Sequence, residues 1–235
     1  MIRVTIYNEY IHEREYEDIH RIYPDGIHGC IKAFLEKEAD MTVNIATFDM
    51  EEHGLTEEVL KNTDVLIWWS HARQEEISDR VVERVCRHIR CGMGFIGLHS
   101  AHYSKVMRQI LGTSMTLSWK HDVHEKLWCI DPTHPIAEGV PACIDIPCEE
   151  MYAEPFGIPK PDDVIFAGWF DKGYVFRSGV TFTRENGKLF YLQCGHESHP
   201  VYHMPEIQRI IINAVRYVRP IRRADKYPEN IHLDI

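Results

Sequence analysis

The chain has 235 residues, and its 26 Lys and Arg against 36 Asp and Glu give a formal net charge of −10. A net-negative chain without a long basic run lacks the means to neutralise phosphates, and no apolar run approaches the roughly 18–20 residues that span a bilayer. We therefore expect neither a nucleic-acid partner nor a membrane span. The N-terminus lacks a signal-peptide pattern, and seven cysteines without a C-x-x-C pair indicate reduced thiols, so we expect a cytoplasmic protein.

The first elements alternate between strand and helix. Apolar and polar residues alternate over residues 2–6, which predicts a half-buried strand. Helical spacing of apolar residues follows over 31–35, and a second strand is predicted over 43–48. Thr56 precedes two glutamates, as an N-cap hydroxyl precedes acids in a first helical turn.

The next elements continue this alternation. Residues 65–69 are continuously apolar, as in a parallel strand that is covered on both faces. Apolar residues then step by four from Ile77 to Ile89, with two glutamates before them in the expected first turn, and Gly92 is expected to end this helix. Residues 95–98 form another buried strand. The repeated strand–helix–strand pattern predicts a mostly parallel sheet with helices on both faces.

The second half is richer in extended segments. Stretches over 123–130, 164–170 and 174–183 are predicted strands, and Asn186-Gly187 is expected to form a type I′ hairpin turn into a strand over 189–194. An apolar stripe over 205–218 predicts a closing helix. We expect one α/β domain over 1–220, with antiparallel strands in its C-terminal half, and a C-terminal tail over 221–235.

Four predicted strands are each followed by a histidine or a carboxylate. Ligands of open parallel sheets bind beyond the carboxyl ends of the strands, so these side chains are candidates for one site. Imidazoles serve both as acid–base groups and as metal ligands near neutral pH. Packing, capping or solvated roles are favoured for His12, His102 and His199. The candidates are Glu9 after the first strand, His71 after the third, His99 after the fourth and His196 after the last.

The segment Gly97-Leu98-His99-Ser100-Ala101 resembles a nucleophile elbow, with His99 where a nucleophile would stand. Ser100, one place later, is a weaker nucleophile candidate, and Cys194 is expected to be a buried thiol. The Glu149–Tyr152 stretch (EEMY) offers two carboxylates and a phenol in a segment that looks like a loop. A catalytic role and a solvated acidic turn are equally compatible with that pattern.

The ordered set of motifs resembles the trehalose-utilization (ThuA-like) family along nearly the whole chain. The resemblance implies a class I glutamine amidotransferase-like fold, which is a flavodoxin-like three-layer α/β sandwich. The elbow of true amidotransferases carries a catalytic Cys where this chain has His99, so glutamine hydrolysis is disfavoured. The motifs are VTIYNEY with His12, YPDGIH at 23–28, WWSH at 68–71, G-x-x-G-L-H-S at 94–100, DPTHPIAEGVP at 131–141, EEMY at 149–152 and CGH at 194–196.

The resemblance further implies a role in the use of trehalose or related disaccharides, through oxidised 3-keto sugars. A ketone at C3 acidifies the proton at C2, which a histidine could remove while a second acid protonates the departing glycosidic oxygen. Under this hypothesis His99 and His196 form the acid–base pair and Glu150 is a third catalytic candidate. Glu9, His71 and Tyr152 are expected to bind sugar hydroxyls.

Two questions stay open at this point. A divalent zinc or manganese ion is an option, with ligands drawn from His71, His99, His121 and His196, and no nucleotide cofactor is expected. The alternative to an enzyme is a non-catalytic sugar- or metal-binding module that kept an amidotransferase-like fold without the nucleophilic Cys. A homo-oligomer is expected as the general prior for such enzymes.

Overall fold

A computed structural model describes residues 1–227 of the chain. These residues form one nine-stranded sheet with helices packed against it. The strands are β1 Ile2–Asn8, β2 Met41–Thr47, β3 Val65–Trp69, β4 Gly94–Leu98, β5 Ser118–Cys129, β6 Cys143–Ala153, β7 Val164–Phe170, β8 Val175–Arg184 and β9 Gly187–Leu192. The α-helices are α1 His12–Glu15, α2 Glu17–Ile22, α3 Gly26–Leu35, α4 Glu57–Lys61, α5 Asp79–Arg90, α6 Lys105–Leu111 and α7 Pro205–Val218.

The parallel half of the sheet has the strand order of a flavodoxin-like fold. The neighbours run β2-β1-β3-β4-β9, and every pair among them is parallel. This is the order 2-1-3-4-5 when only the parallel strands are counted. The prediction of a parallel α/β sheet from the first half of the chain is therefore confirmed, and β9 completes it from the C-terminal half.

The antiparallel half extends the sheet from β9 through β8, β7 and β5 to β6 at the edge. Residues 149–152, which look like a loop in the sequence, are instead part of the long strand β6. The reason is that β6 pairs with β5 along most of its length. Pro147 lies in an irregularity of this pairing, where it has no partner on β5. The acidic pair is thus held by a rigid element.

Two apolar cores cover the two faces of the sheet. Helices α3 and α7 pack on one face, and α4, α5 and α6 pack on the other. Helix α5 begins at Asp79, later than expected, because Ile77 and Ser78 are extended and the Ile77 carbonyl accepts from Lys105 Nζ at 2.9 Å. The two glutamates before it belong to a separate 3₁₀ turn.

The hairpin between β8 and β9 is present, but its turn lies one residue earlier than predicted. Arg184 pairs with Gly187, so Glu185 and Asn186 occupy the turn, and Glu185 adopts the left-handed conformation with φ +53°. Gly187 serves a different purpose, since a Cβ there would lie 2.2 Å from the carbonyl oxygen of Ile89. The glycine allows β9 to approach α5 closely.

The end of the chain is only partly described. Residues 221–227 contain neither helix nor strand, and residues 228–235 of the predicted tail lie outside the described residues. Within residues 1–227, no helix has both the length and the apolar character needed to cross a bilayer.

Candidate active site

The predicted convergence of histidines at the strand ends is present in the structure. Strands β1, β3, β4 and β9 are neighbours in the parallel half, so the residues that follow them meet at one edge of the sheet. The ring of His196 lies at the centre of this cluster. Its centroid is 5.6 Å from that of His71, 5.3 Å from that of His99 and 5.3 Å from that of His121.

His99 occupies the turn after β4 in a strained backbone conformation. Its φ of +48° is left-handed, whereas the preceding Leu98 is extended. Such a residue costs of order 1–3 kcal/mol and persists only where the surroundings fix it. The ring is fully buried, stacks on Tyr152 with centroids 4.8 Å apart, and donates from Nδ1 to the Gln193 carbonyl at 2.7 Å. The elbow geometry is present, but its central side chain points inward.

His99 and Glu150 form a buried ion pair, with Nε2 and Oε2 3.0 Å apart. Burial raises the pKa of Glu150, but the hydrogen bond from His99 and its positive charge outweigh this and lower the pKa to about 2. For His99 burial lowers the pKa, and the bond to Glu150 with the charges of Glu149 and Glu150 raises it overall. Both ring nitrogens of His99 are therefore engaged within the protein.

The neighbouring Glu149 fixes the loop after β9. Its side chain is completely buried, and its two oxygens accept from the backbone N–H groups of Glu150, Gly195 and His196 at 2.7, 2.7 and 3.1 Å. Burial is the main reason that its pKa rises to about 7. This carboxyl group connects β6 to the loop that carries His196.

Glu197 orients two histidines at once. Its Oε1 accepts from Nδ1 of His12 at 2.5 Å and from Nδ1 of His71 at 2.8 Å. Although burial opposes it, these bonds and the charge of His71 lower the pKa of Glu197 far below its ordinary range. Because each imidazole donates from Nδ1, each keeps a lone pair on Nε2 when neutral. In its neutral form His71 thus presents a proton acceptor to the cleft.

His196 has the opposite proton placement. Its Nδ1 accepts from the Ser198 N–H at 3.1 Å, so the neutral ring carries its proton on Nε2. Burial and the positive charge of His99 lower its pKa to about 3, which keeps it neutral. Nε2 lies 4.0 Å from Glu150 Oε1 and 3.6 Å from Glu197 Oε2, and neither it nor Glu197 Oε2 has a hydrogen-bond partner within residues 1–227.

A cleft of about 430 Å³ opens beside the histidine cluster. His71 and His121 line it, whereas His196 is 5% exposed and is not among its lining residues. Trp119 and Tyr103 are exposed at 61% and 41% and present flat aromatic surfaces to it, while Tyr152 and Glu150 are almost fully buried in its wall. A cleft of this size, with apolar surfaces and a few convergent polar groups, is typical of a small-molecule site. Its lining comprises His71, Gln74, Ser100, His102, Tyr103, Thr116, Leu117, Trp119, His121, Glu150 and Tyr152.

Comparison with protein families agrees with this architecture. The sequence profile of ThuA, described as trehalose utilisation, matches residues 3–218. The chain belongs to the ThuA family. No curated protein matches it.

Solved structures share the fold of this ThuA-family chain at low sequence identity. A protein from Parabacteroides merdae ATCC 43184, described as ThuA-like, has a TM-score of 0.72 at 12% identity, covering 95% of this chain and 92% of the other. A second protein described as ThuA-like, from Bacteroides uniformis ATCC 8492, has a TM-score of 0.65 at 16% identity, covering 92% and 90%. A glutamine amidotransferase from Thermotoga maritima has a TM-score of 0.50 at 11% identity, covering 92% and 96%. The amidotransferase-like fold predicted from the motifs is confirmed.

The nucleophile candidates of this ThuA-family chain are poorly placed for acyl transfer. Ser100 Oγ donates to the Ser70 carbonyl at 2.7 Å and has no histidine partner among the hydrogen bonds described. Cys194 is fully buried, and burial with the nearby Glu125 raises the pKa of its thiol well above the ordinary value. A buried, protonated thiol is unreactive.

Of the predicted substrate-binding residues, the structure places Glu9 away from the cleft, and Tyr152 and His71 in its lining. Glu9 is 1% exposed, and its oxygens accept from the N–H groups of Ala72 and Arg73 at 2.7 and 3.0 Å, so it holds the loop after His71 rather than facing the cleft. Tyr152 lines the cleft, but its hydroxyl lies 3.2 Å from His99 Nε2. His71 lies at the cleft as predicted, although its oriented Nε2 suits proton transfer better than hydroxyl binding.

Two residues of the ThuA-family site were not singled out from the sequence. Glu197 has no predicted role, and a packing, capping or solvated role is predicted for His12, yet the two are hydrogen-bonded to each other. Their separation of 185 positions hides the contact. The available signal was that both follow the carboxyl ends of parallel strands, as the other candidates do.

The option of a metal ion with ligands drawn from His71, His99, His121 and His196 fits the hydrogen bonding of these residues poorly. His99 has both nitrogens bonded to Gln193 and Glu150, and His196 carries its proton on Nε2. Two neighbouring sets, His12 with His71 and Glu197, and His99 with Glu150 and His196, bring possible ligand atoms within 4.8 Å. Their closest pairs are 2.5–3.0 Å apart, the spacing of hydrogen bonds, whereas tetrahedral zinc separates its ligands by about 3.4 Å. We derive no step through a metal at this cluster.

Proposed function

We propose that this protein cleaves the glycosidic bond of an oxidised, 3-keto disaccharide such as 3-keto-trehalose, by acid–base chemistry at the histidine cluster. The family description, trehalose utilisation, supports the sugar class. The cleft beside the cluster and the exposed ring of Trp119 suit a disaccharide, since aromatic faces pack against the apolar faces of sugar rings.

The observation that carries the proposal is the opposite proton placement on two adjacent imidazoles. His71 keeps a lone pair on Nε2 because Glu197 accepts its Nδ1 proton, and His196 keeps a proton on Nε2 because Ser198 donates to its Nδ1. Their ring centroids are 5.6 Å apart. A base and a hydrogen-bond donor at this spacing can act on a C–H bond and on the carbonyl oxygen next to it.

The chemistry follows from the acidity of the proton at C2 beside a C3 ketone. His196 Nε2–H donates to the ketone oxygen, and His71 Nε2 takes the C2 proton, which leaves an enediolate stabilised by that hydrogen bond. The C1–O glycosidic bond then breaks as the C1–C2 double bond forms. His71 returns the proton to the departing oxygen, and addition of water to the unsaturated ketone completes hydrolysis. His71 carries the proton only between these two transfers, and the completed cycle leaves both histidines as they began.

The remaining predicted residues position the site or contact the substrate. The sequence predicts that His99 exchanges a proton with the substrate, but both of its ring nitrogens are hydrogen-bonded within the protein. We therefore assign His99 as the positioning partner of Glu150. Glu150 lines the cleft as a carboxylate and lies 3.1 Å from Nδ1 of His121. We assign His121, whose side chain is half exposed, and Tyr152 to substrate contact.

The test is turnover of 3-keto-trehalose beside its parent trehalose, followed by release of glucose. We expect turnover of the keto sugar only, and a loss of roughly 10²–10⁴-fold in kcat/KM for His71→Ala and His196→Ala, the usual contribution of a general acid or base. His124→Ala is the matched control, because His124 lies on β5 with His121 but contacts Asp145. Full activity in folded His71→Ala and His196→Ala variants would refute the assignment.

The alternative of a non-catalytic binding module has a distinct outcome in the same experiment. Calorimetric binding of trehalose or its keto derivative at this cleft, without turnover of either, would establish a binding function and reject catalysis. Loss of that binding in Trp119→Ala would locate the ligand at the cleft.

A further inference from the structure

A second group of ligand-type side chains lies behind the histidine cluster, on the antiparallel half of the sheet. Asp122 of β5, Cys148 of β6 and His199 of the loop after β9 each offer one atom, and these atoms all lie within 4.8 Å of one another. The Oδ1 atom of Asp122 is 3.4 Å from Nε2 of His199 and 3.8 Å from Sγ of Cys148. None of these residues takes part in the proposed sugar chemistry.

These separations differ from those inside the catalytic cluster. With Zn–N and Zn–O bonds of about 2.0–2.2 Å and a Zn–S bond of about 2.3 Å, a tetrahedral ion sets its nitrogen and oxygen ligands about 3.4 Å apart and its sulfur and oxygen ligands about 3.5 Å apart. The two observed distances are close to these values. The nitrogen–oxygen distance exceeds the length of an ordinary N–H···O hydrogen bond, and the sulfur–oxygen distance is that of a weak S–H···O bond, whose proton a cation would replace.

The strands are distorted where they carry two of the three side chains. Pairing of β5 with β6 shifts register between Lys120 and Val123 and again between Val123 and Glu125. The first irregularity contains Asp122 and the second, on the partner strand, contains Cys148. Asp122 also has a left-handed φ of +57°. Bulges redirect side chains and cluster beside functional sites, so this backbone brings Asp122 and Cys148 together at a cost in pairing.

The third residue, His199, is held in place by hydrogen bonds of its backbone. The carbonyl of His199 accepts from the buried Tyr23 hydroxyl at 2.6 Å, and its N–H donates to the His196 carbonyl at 3.0 Å. The imidazole of His199 presents Nε2 to Asp122 Oδ1 at 3.4 Å, and a neutral imidazole nitrogen is a common metal ligand. The Asp122 side chain is 76% exposed and leaves a path from solvent.

We propose that Asp122, Cys148 and His199 bind a zinc ion, with the fourth tetrahedral position open to solvent. A thiolate, an imidazole and a carboxylate together select zinc over magnesium or calcium, which prefer oxygen ligands. The ion would connect the β5–β6 bulges to the loop that carries His196 and Glu197, and so would stiffen the catalytic loop from outside the cleft. Binding would release the thiol proton of Cys148.

Cobalt substitution tests the ligand set directly. Full-length protein is stripped with chelator and titrated with Co²⁺, because thiolate ligation produces a near-ultraviolet charge-transfer band that histidine and carboxylate ligation do not. We expect the band to appear in the wild type, to disappear in Cys148→Ser, and to be displaced by Zn²⁺. Cys143→Ser, on the same strand, is the matched control and should keep the band.

Affinity measurements complete the test. Asp122→Asn and His199→Ala should each weaken Zn²⁺ binding by roughly tenfold or more, whereas His71→Ala should leave it unchanged. Circular dichroism shows whether each variant is folded, and Asp122→Asn tests the site even if His199→Ala does not fold. A wild type without the charge-transfer band, a band that survives in Cys148→Ser, or binding lost in His71→Ala would each overturn the proposal.

Discussion

Replacing Glu150 by Gln tests the buried ion pair with His99 through the pH dependence of stability. The folded-state pKa of Glu150 is about 2 against an ordinary value of 4.5. Because the pKa is depressed by folding, the stabilisation is present above pH 4.5 and is lost as the pH falls toward 2. One unit of pKa shift corresponds to about 1.4 kcal/mol, and about 1.5 units are titrated by pH 3. Protonation of Glu150 alone should therefore lower the free energy of unfolding by about 2 kcal/mol between pH 7 and pH 3.

The partner titrates in the opposite sense. The pKa of His99 is raised above its ordinary value of 6.5, so its stabilisation is present below pH 6.5 and is lost as the pH rises through the raised value. In Glu150→Gln the imidazole loses its counter-charge, becomes neutral and can accept from the new amide. We therefore expect Glu150→Gln to cost less at pH 7 than Glu150→Ala, because the alanine leaves the buried Nε2 of the neutral imidazole without the hydrogen-bond partner that the amide supplies.

The assay is urea unfolding at steps between pH 3 and pH 8, followed by the fluorescence of the buried Trp68 and Trp69. Between pH 7 and pH 3, the free energy of unfolding should decline by about 2 kcal/mol less in Glu150→Gln than in the wild type. Glu58→Gln, on the exposed side of α4, is the control for removing a carboxylate outside the site. Equal declines in the wild type and Glu150→Gln would refute the buried ion pair.

Three further predictions concern the loops of the site. Gly195→Ala should cost about 2–5 kcal/mol in urea unfolding, because φ is +123° and a Cβ would lie 2.1 Å from the Tyr202 hydroxyl oxygen; a loss below about 1 kcal/mol would contradict this. Long-range ¹H–¹⁵N spectra should show His196 neutral with its proton on Nε2 down to about pH 4, whereas a proton on Nδ1 would contradict the bond from Ser198. Glu9→Ala should leave two loop N–H groups unpaired and speed their hydrogen exchange, and unchanged exchange would show that Glu9 does not hold the loop.

The sequence predicts the parallel half of the fold well because both faces of those strands are covered. Continuous apolar runs such as residues 65–69 have few alternatives to a buried strand, and the strand ends then identify His71, His99 and His196 as neighbours. The antiparallel half is harder to predict. Strand β6 contains Pro147 and two adjacent glutamates, which are typical of loops, and only its pairing with β5 stabilises it as a strand.

The roles of individual site residues depend on contacts that no local pattern encodes. Glu9 stands after β1 as a ligand-binding residue would, but the backbone N–H groups of Ala72 and Arg73 lie close enough to take both of its oxygens. The proton positions on His71 and His196 likewise depend on Glu197 and Ser198. Such assignments require three-dimensional distances, and sequence spacing cannot supply them.

The position of β9 between β4 and β8 has a consequence for how the chain is made. As the nascent polypeptide leaves the ribosome, β4 has its β3 neighbour, but its other edge stays unpaired until β9 is synthesised, after the eight other strands described in residues 1–227. Unpaired edges of this kind promote association between chains, and long-range pairing is slow. Translation stalled before β9 would therefore leave an aggregation-prone intermediate that also lacks His196 and Glu197, so incomplete chains cannot be partly active.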